Sequence, residues 1–133
     1  MPRPRAWTLE ADLPAFLKGA VVGLVRSDER DLSARQLSVF LICCTLPGPH
    51  TVRGLAALLN IAKPAITRAT DRLVAARLVK RRPDPTDRRS IHTVVTETGK
   101  AYLQQLGSLL ADAAAQAEAG SEPQADTLRR RRS

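Results

Sequence analysis

The sequence predicts a mainly α-helical fold with one small β-hairpin, and three observations predict it. Apolar residues recur at steps of three and four along several segments, the spacing of a helical stripe. Two of those segments are short and lie only three residues apart, across Asn60-Ile61-Ala62. Further on, two runs rich in Val, Ile and Thr flank a connector of prolines, aspartates and arginines. The chain has 133 residues, 44% apolar and 26% charged. That is material for one domain with a core, and it excludes a wholly disordered chain.

The first helix starts at Asp12, which can cap it, and Pro14 is tolerated in its first turn. Its stripe is Leu13, Phe16, Leu17, Ala20 and Leu24, and it is expected to end near Arg26, before a polar loop over 27–31. Ser33 and Gln36 have the spacing of a capping box, so a second helix begins there. Leu37, Phe40, Leu41 and Cys44 form one stripe of it and Val39, Ile42 and Leu46 another, which predicts burial on two sides. Pro47-Gly48-Pro49 stops it. Thr51 can cap a short third helix carrying Leu55, Ala56, Leu58 and Leu59. A fourth follows the turn, with Pro64 where a missing amide proton costs nothing. Ile66, Ala69, Leu73 and Val74 line one face of it, and Lys63, Thr67, Arg68, Asp71 and Arg72 the other. Two short helices joined by such a turn make a helix-turn-helix.

Leu78 to Arg82 and Ser90 to Val95 are the predicted strands, and the connector from Pro83 to Arg89 makes a long basic tip, or wing. Thr96 can cap the last helix, although Gly99 in its first turn is a poor helix former. Leu103, Leu106, Leu110, Ala113 and Ala117 run along it in a near-heptad seam, and Gly120, Ser121 and Pro123 end it. The predicted organisation is an N-terminal dimerisation helix and loop over 1–31 and a winged helix-turn-helix over 32–95. A C-terminal dimerisation helix over 96–119 and a disordered basic tail over 120–133 complete it. The two terminal stripes exceed what a small winged domain can bury, which predicts a homodimer joined through Leu13, Phe16, Leu17, Ala20 and Leu24 with Leu103, Leu106, Leu110, Ala113 and Ala117.

The formal net charge is +8, and it is localised. Residues 1–52 hold six basic and five acidic side chains, 53–89 hold ten and three, and 90–133 hold five of each. Nearly all the excess therefore lies on the helix-turn-helix and wing, which suits a phosphate backbone. A groove-inserted helix presents small or polar side chains from its first turns. Pro64, Ala65, Thr67 and Arg68 meet that need, and Arg68 can fork to a guanine edge. Lys63 is a second DNA contact, Arg72 a phosphate contact or an intrahelical partner near Asp71, and Thr67 has a plain solvated alternative. Lys80, Arg81 and Arg82 suit phosphates, as does Arg53 near a helix start. Arg88 and Arg89 on the wing either enter a narrow groove or hold the loop through an Asp87–Arg89 pair.

No paired carboxylates, nucleophile elbow or glycine-rich phosphate loop is present, so no enzyme is expected. His50 and His92 are isolated, and neither metal nor cofactor is expected. Cys43 and Cys44, neighbours in an apolar run, read as a core pair, with oxidant sensing or thiophilic-metal binding the alternative. No apolar run reaches the roughly 18 residues of a membrane span, and no signal peptide is visible, so a cytoplasmic protein is expected. The competing function is a winged helix that meets an acidic protein partner.

The chain resembles the MarR family of winged-helix transcription regulators from about Leu32 to Leu106. The resemblance rests on Leu32-Ser33-Ala34-Arg35-Gln36, Leu55-Ala56-Ala57-Leu58-Leu59, Lys63-Pro64-Ala65-Ile66-Thr67-Arg68 and Asp71-Arg72-Leu73. It continues through Leu78-Val79-Lys80-Arg81, Asp84-Pro85-Thr86-Asp87-Arg88-Arg89-Ser90 and Thr96-Glu97-Thr98-Gly99, and the combined order is specific. It implies a homodimer on a semi-palindromic operator, often released or recruited by a small-molecule effector that the sequence does not identify. Lys63 to Arg72 would enter the major groove. Asp87, Arg88 and Arg89 match an Asp-x-Arg wing motif whose carboxylate orients a minor-groove arginine. Gly54 departs from the family's usual polar helix former, and a polar tail stands where many members have a further helix.

Overall fold

The computed structural model describes residues 6–27 and 30–120. The elements run α1 Asp12–Ser27, α2 Ala34–Thr45, α3 Val52–Leu59, α4 Lys63–Ala75, β1 Val79–Pro83, β2 Ile91–Val95 and α5 Glu97–Ala119. Five helices and a two-stranded antiparallel hairpin are the expected winged helix. The expected tail lies almost wholly in 121–133, outside the described residues. No described helix is long and apolar enough to cross a membrane. The chain divides into two compact units, 30–104 and the terminal segments 1–29 with 105–133.

In the winged unit α2, α3 and α5 each start at a side-chain cap, and α4 starts without one, at Lys63-Pro64. Ser33 accepts from the Gln36 amide while Gln36 Oε1 accepts from the Ser33 amide, which completes the capping box. Thr51 accepts from the Gly54 amide at 3.0 Å, so the unusual glycine does not prevent α3 from forming. Asn60 turns the chain at φ 53°, and Ala62 opens α4 with Pro64 in its first turn. That helix ends in a pair of crossed bonds, Leu78 N–H to Leu73 O and Arg77 N–H to Val74 O, with Arg77 at φ 64°. Leu78 is therefore spent on the helix end, and β1 begins one residue later than the sequence suggests.

The strands pair Val79 with Val95, Arg81 with Thr93 and Pro83 with Ile91. Val39, Phe40, Leu55, Ile66, Leu73, Leu78 and Val79 form the core, and each large side chain removed from water stabilises by about 1.5–3 kcal/mol. Phe40 meets Tyr102 of α5 at a centroid distance of 5.5 Å, and the Arg30 guanidinium covers the Tyr102 ring. Gly99, a poor helix former by propensity, is required by its surroundings. A Cβ there would collide with the Leu78 carbonyl oxygen and stand 2.7 Å from a Val95 methyl. Thr96 caps the same turn by accepting from the Gly99 amide.

In the terminal unit Asp12 is the first residue of α1, one position past its cap. The turn before the helix is closed from both ends: the Thr8 hydroxyl accepts from the Ala11 and Asp12 amides, and the Asp12 carboxylate reaches back to accept from the Thr8 amide at 2.7 Å. Gly19 and Gly23 let α1 approach the Ala113 and Leu109 side chains of α5 closely. Trp7 stacks on Phe16 and donates to Glu118. This packing corrects the expected dimer set. Ala20, Leu106, Ala113 and Ala117 are buried inside the single chain, because small residues let the two helices close on each other. Phe16, Leu24 and Leu103 are half-buried, while Leu13, Leu17 and Leu110 are exposed. Val21 and Val25, which the sequence reading passed over, extend the exposed row at every fourth position from Leu13.

Candidate nucleic-acid interface

Helix α4 has a sharp division of faces. Ala65, Ile66, Ala69, Thr70 and Leu73 are buried. Lys63, Pro64, Thr67, Arg68, Asp71 and Arg72 are exposed. Ala65 was expected to touch a base, but at 8% exposure it belongs to the packed face. It is followed one turn later by Ala69, and the two alanines let α4 sit low against the start of α2. Thr67 remains outward, with its hydroxyl donating back to the Lys63 carbonyl.

The only acid on α4, Asp71, forms an ion pair with Arg81 of β1 at 2.5 Å. Arg81 was expected to meet phosphate, and the structure gives it to Asp71 instead. The pair ties the helix to the wing and withdraws the one negative charge from Arg68 and Arg72. Lys80, Arg82 and, on α3, Arg53 are exposed.

Asp84 builds the wing tip. Its Oδ1 accepts from the Thr86 amide, the Thr86 hydroxyl and the Asp87 amide, and its Oδ2 lies 3.1 Å from His92 Nε2. Those bonds, the Thr86 amide first, hold the carboxyl below the usual carboxylate range. Asp87 Oδ1 accepts from the backbone amide of Arg89 at 3.0 Å, and its carbonyl accepts from the Ser90 amide. The carboxylate therefore positions Arg89 through the backbone. Arg88 and Arg89 are exposed at the tip.

A family model described as MarR family matches residues 30–90. Over that winged-helix stretch the chain matches the MarR family. Solved structures extend the likeness to most of the chain. CouR from Rhodococcus jostii RHA1, a structure bound to p-coumaroyl-CoA, is 25% identical over 86% of this chain and 78% of its own, with a TM-score of 0.60. The transcriptional regulator BldR from Sulfolobus solfataricus is 25% identical over 84% and 78%, with a TM-score of 0.60. The transcriptional regulator Tm0710 from Thermotoga maritima shares the fold at 23% identity over 87% and 82%, with a TM-score of 0.65. No curated protein sequence matches the chain.

His92 belongs to the wing, beside Asp84, while Cys43 and Cys44 lie on α2 and His50 in the loop before α3. Cys43 and Cys44 are half-buried on α2. Burial, and then the neighbouring Cys44, pushes the Cys43 thiol up to about 11, and burial raises Cys44 as well. Both are poor thiolates, which disfavours oxidant sensing. His50 is buried, with Nε2 2.9 Å from the Leu46 carbonyl and its own carbonyl accepting from the Thr93 amide. No group of metal-ligating side chains occurs among the described residues. The sequence reading missed Asp84 and the Asp71–Arg81 pair. The first had a local signal, since an aspartate two residues before a threonine is a side-chain turn motif. The second joins residues ten positions apart and had none.

Proposed function

We propose that the chain is a sequence-specific, double-stranded-DNA-binding transcriptional regulator, a ligand-responsive repressor acting as a homodimer on a semi-palindromic operator. One observation carries the reading: α4 presents Lys63, Thr67, Arg68 and Arg72 beside a wing tip bearing Arg88 and Arg89, while its single acid is held by Arg81. Arg68 reads bases, Lys63 and Arg72 with Arg53 and Arg82 hold phosphates, and the Asp87-supported arginines enter the minor groove. Pro64 pre-forms the first turn that leads into the groove. The exposed row on α1 with Leu110 is the surface for a second copy. The winged unit alone, 30–104, is the DNA-binding domain. A small-molecule effector fits the family, in which CouR is seen with an acyl-CoA bound. Such a regulator works in the cytoplasm, where it meets chromosomal DNA.

Selection of bound sites from random duplex DNA, followed by mobility shift in rising salt, tests the reading. Two half-sites about one helical turn apart are expected, with affinity falling steeply as salt rises. Arg68→Ala is expected to relax base preference by about 1–3 kcal/mol at one position, and Arg89→Ala to weaken most sequences alike. Absence of binding to every duplex at low salt would remove the proposal.

A further inference from the structure

A groove of about 360 Å³ runs between the start of α2 and the flank of α4, lined by Ser33, Arg35, Gln36, Ala65, Arg68, Ala69 and Arg72. Three of those seven side chains are guanidinium groups, and none is a carboxylate. Arg35, Arg68 and Arg72 are exposed and form no ion pair among the described residues. Asp71, their nearest acid in sequence, is engaged by Arg81. Ala65 and Ala69 put nothing longer than a methyl group into the groove. The capping box at Ser33 and Gln36 fixes the turn of α2 that carries Arg35. Unpaired guanidinium groups facing one groove repel each other until an anion joins them, and the planar fork of arginine matches phosphate oxygens in pairs.

We propose that Arg35 and Arg72 together seat one backbone phosphate of the DNA strand bordering the groove that α4 enters. The seat rests on the DNA-binding reading above. Arg68 lies one helical turn closer than Arg72 to the end of α4 that meets base edges, so it reads sequence. Arg72 and Arg35, farther from the bases, fix the register in which it does so. Arg35 is a positioning residue from a helix outside the helix-turn-helix; the motif that contains it gave it no role in DNA contact.

The test is fluorescence anisotropy with the selected duplex and with an unrelated one, across a salt series. Arg35→Gln, present in both subunits, is expected to lower the slope of log affinity against log salt by about 1.8. It should weaken both duplexes by the same factor, roughly sixtyfold at 0.1 M salt, which is the counterion release of two phosphates, one in each half-site. Arg72→Gln is expected to behave alike, and Arg35→Lys to keep the slope. Single methylphosphonates scanned along the duplex are expected to reveal one phosphate per half-site whose neutralisation weakens the parent but not Arg35→Gln. A parent that binds DNA while Arg35→Gln keeps its slope, or while every neutralised phosphate costs both proteins equally, would overturn the seat alone. A parent that binds no duplex would overturn the DNA reading and the seat with it.

Discussion

Gly99 and Gly107 both lie in α5, and exchanging each for alanine is expected to move stability in opposite directions. Helix propensity alone favours alanine over an interior glycine by about 1 kcal/mol. At Gly107 nothing stands within 4 Å of the added Cβ, so the full gain is expected. At Gly99 the Cβ would meet the Leu78 carbonyl oxygen and a Val95 methyl at 2.7 Å. That carbonyl already accepts from the Thr96 amide at 3.1 Å, so moving it aside weakens a hydrogen bond worth about 1 kcal/mol. Overpacking adds about 1–3 kcal/mol. After subtracting the propensity gain, Gly99→Ala is expected to destabilise by about 1–3 kcal/mol. For a chain of this length 1 kcal/mol moves Tm by roughly 4 °C. Thermal unfolding at matched protein concentration should then show a fall of roughly 4–12 °C for Gly99→Ala and a rise of roughly 4 °C for Gly107→Ala. Equal rises for both would refute the docking of the start of α5 on the hairpin.

Three further outcomes follow from the geometry. The Asp84 carboxyl is held below its ordinary 3.8 in the folded wing. Its ordering of the tip is therefore complete above that value and is lost only as pH falls through the lower folded one. In an amide-resolved pH titration the Thr86 and Asp87 signals should move below pH 3.8, and a midpoint above it would contradict the Asp84 turn. With its thiol near 11 instead of 9, Cys43 is expected to react with an alkylating reagent at neutral pH roughly a hundredfold more slowly than in the unfolded chain. Fast labelling of folded protein would show an open site. Leu17→Glu, at a position 62% exposed in the single chain, removes two leucines from the proposed symmetric interface. At about 1.5–3 kcal/mol each, dimer affinity should drop by 10² to 10⁴, read by light scattering. An unchanged mass would place the dimer contact elsewhere.

The features legible in the sequence are those decided within one helical turn. Ser33 with Gln36, Thr51 and Thr96 each act on backbone groups a few positions away, and Pro64 fixes its own φ in a first turn, so four helix starts were legible. Asp12 shows the limit of that method. Its spacing offers it as the cap of α1, and the fold instead shows the Thr8 hydroxyl taking the Ala11 and Asp12 amides while the Asp12 carboxylate reaches back to the Thr8 amide. Apolar spacing identified the stripes on α1 and α5 but not their partners, because a row of Leu, Ala and Val reads the same whether it faces its own chain or a second copy. Size was the missing cue: alanines and glycines went to the close contact inside the chain, and the bulky Leu13, Leu17, Val21 and Val25 stayed outside.

The charge of 53–89 needs the same distinction. Counting ten basic and three acidic side chains marks the segment for an anion, but the basic groups do different work. Arg81 is committed to Asp71, and Arg77 occupies the left-handed turn that ends α4. Arg35, which the count assigns to the nearly neutral first third of the chain, faces the same groove as Arg68 and Arg72. A sum along the sequence cannot see this, because α2 brings its arginine to α4 across more than thirty residues. The effective basic surface is therefore one residue poorer on the strand and one richer on α2 than the sequence indicates. That exchange matters for specificity. In the proposed DNA complex a phosphate held from a second helix would fix the angle of α4 in the groove, and so decide which base edge Arg68 could reach.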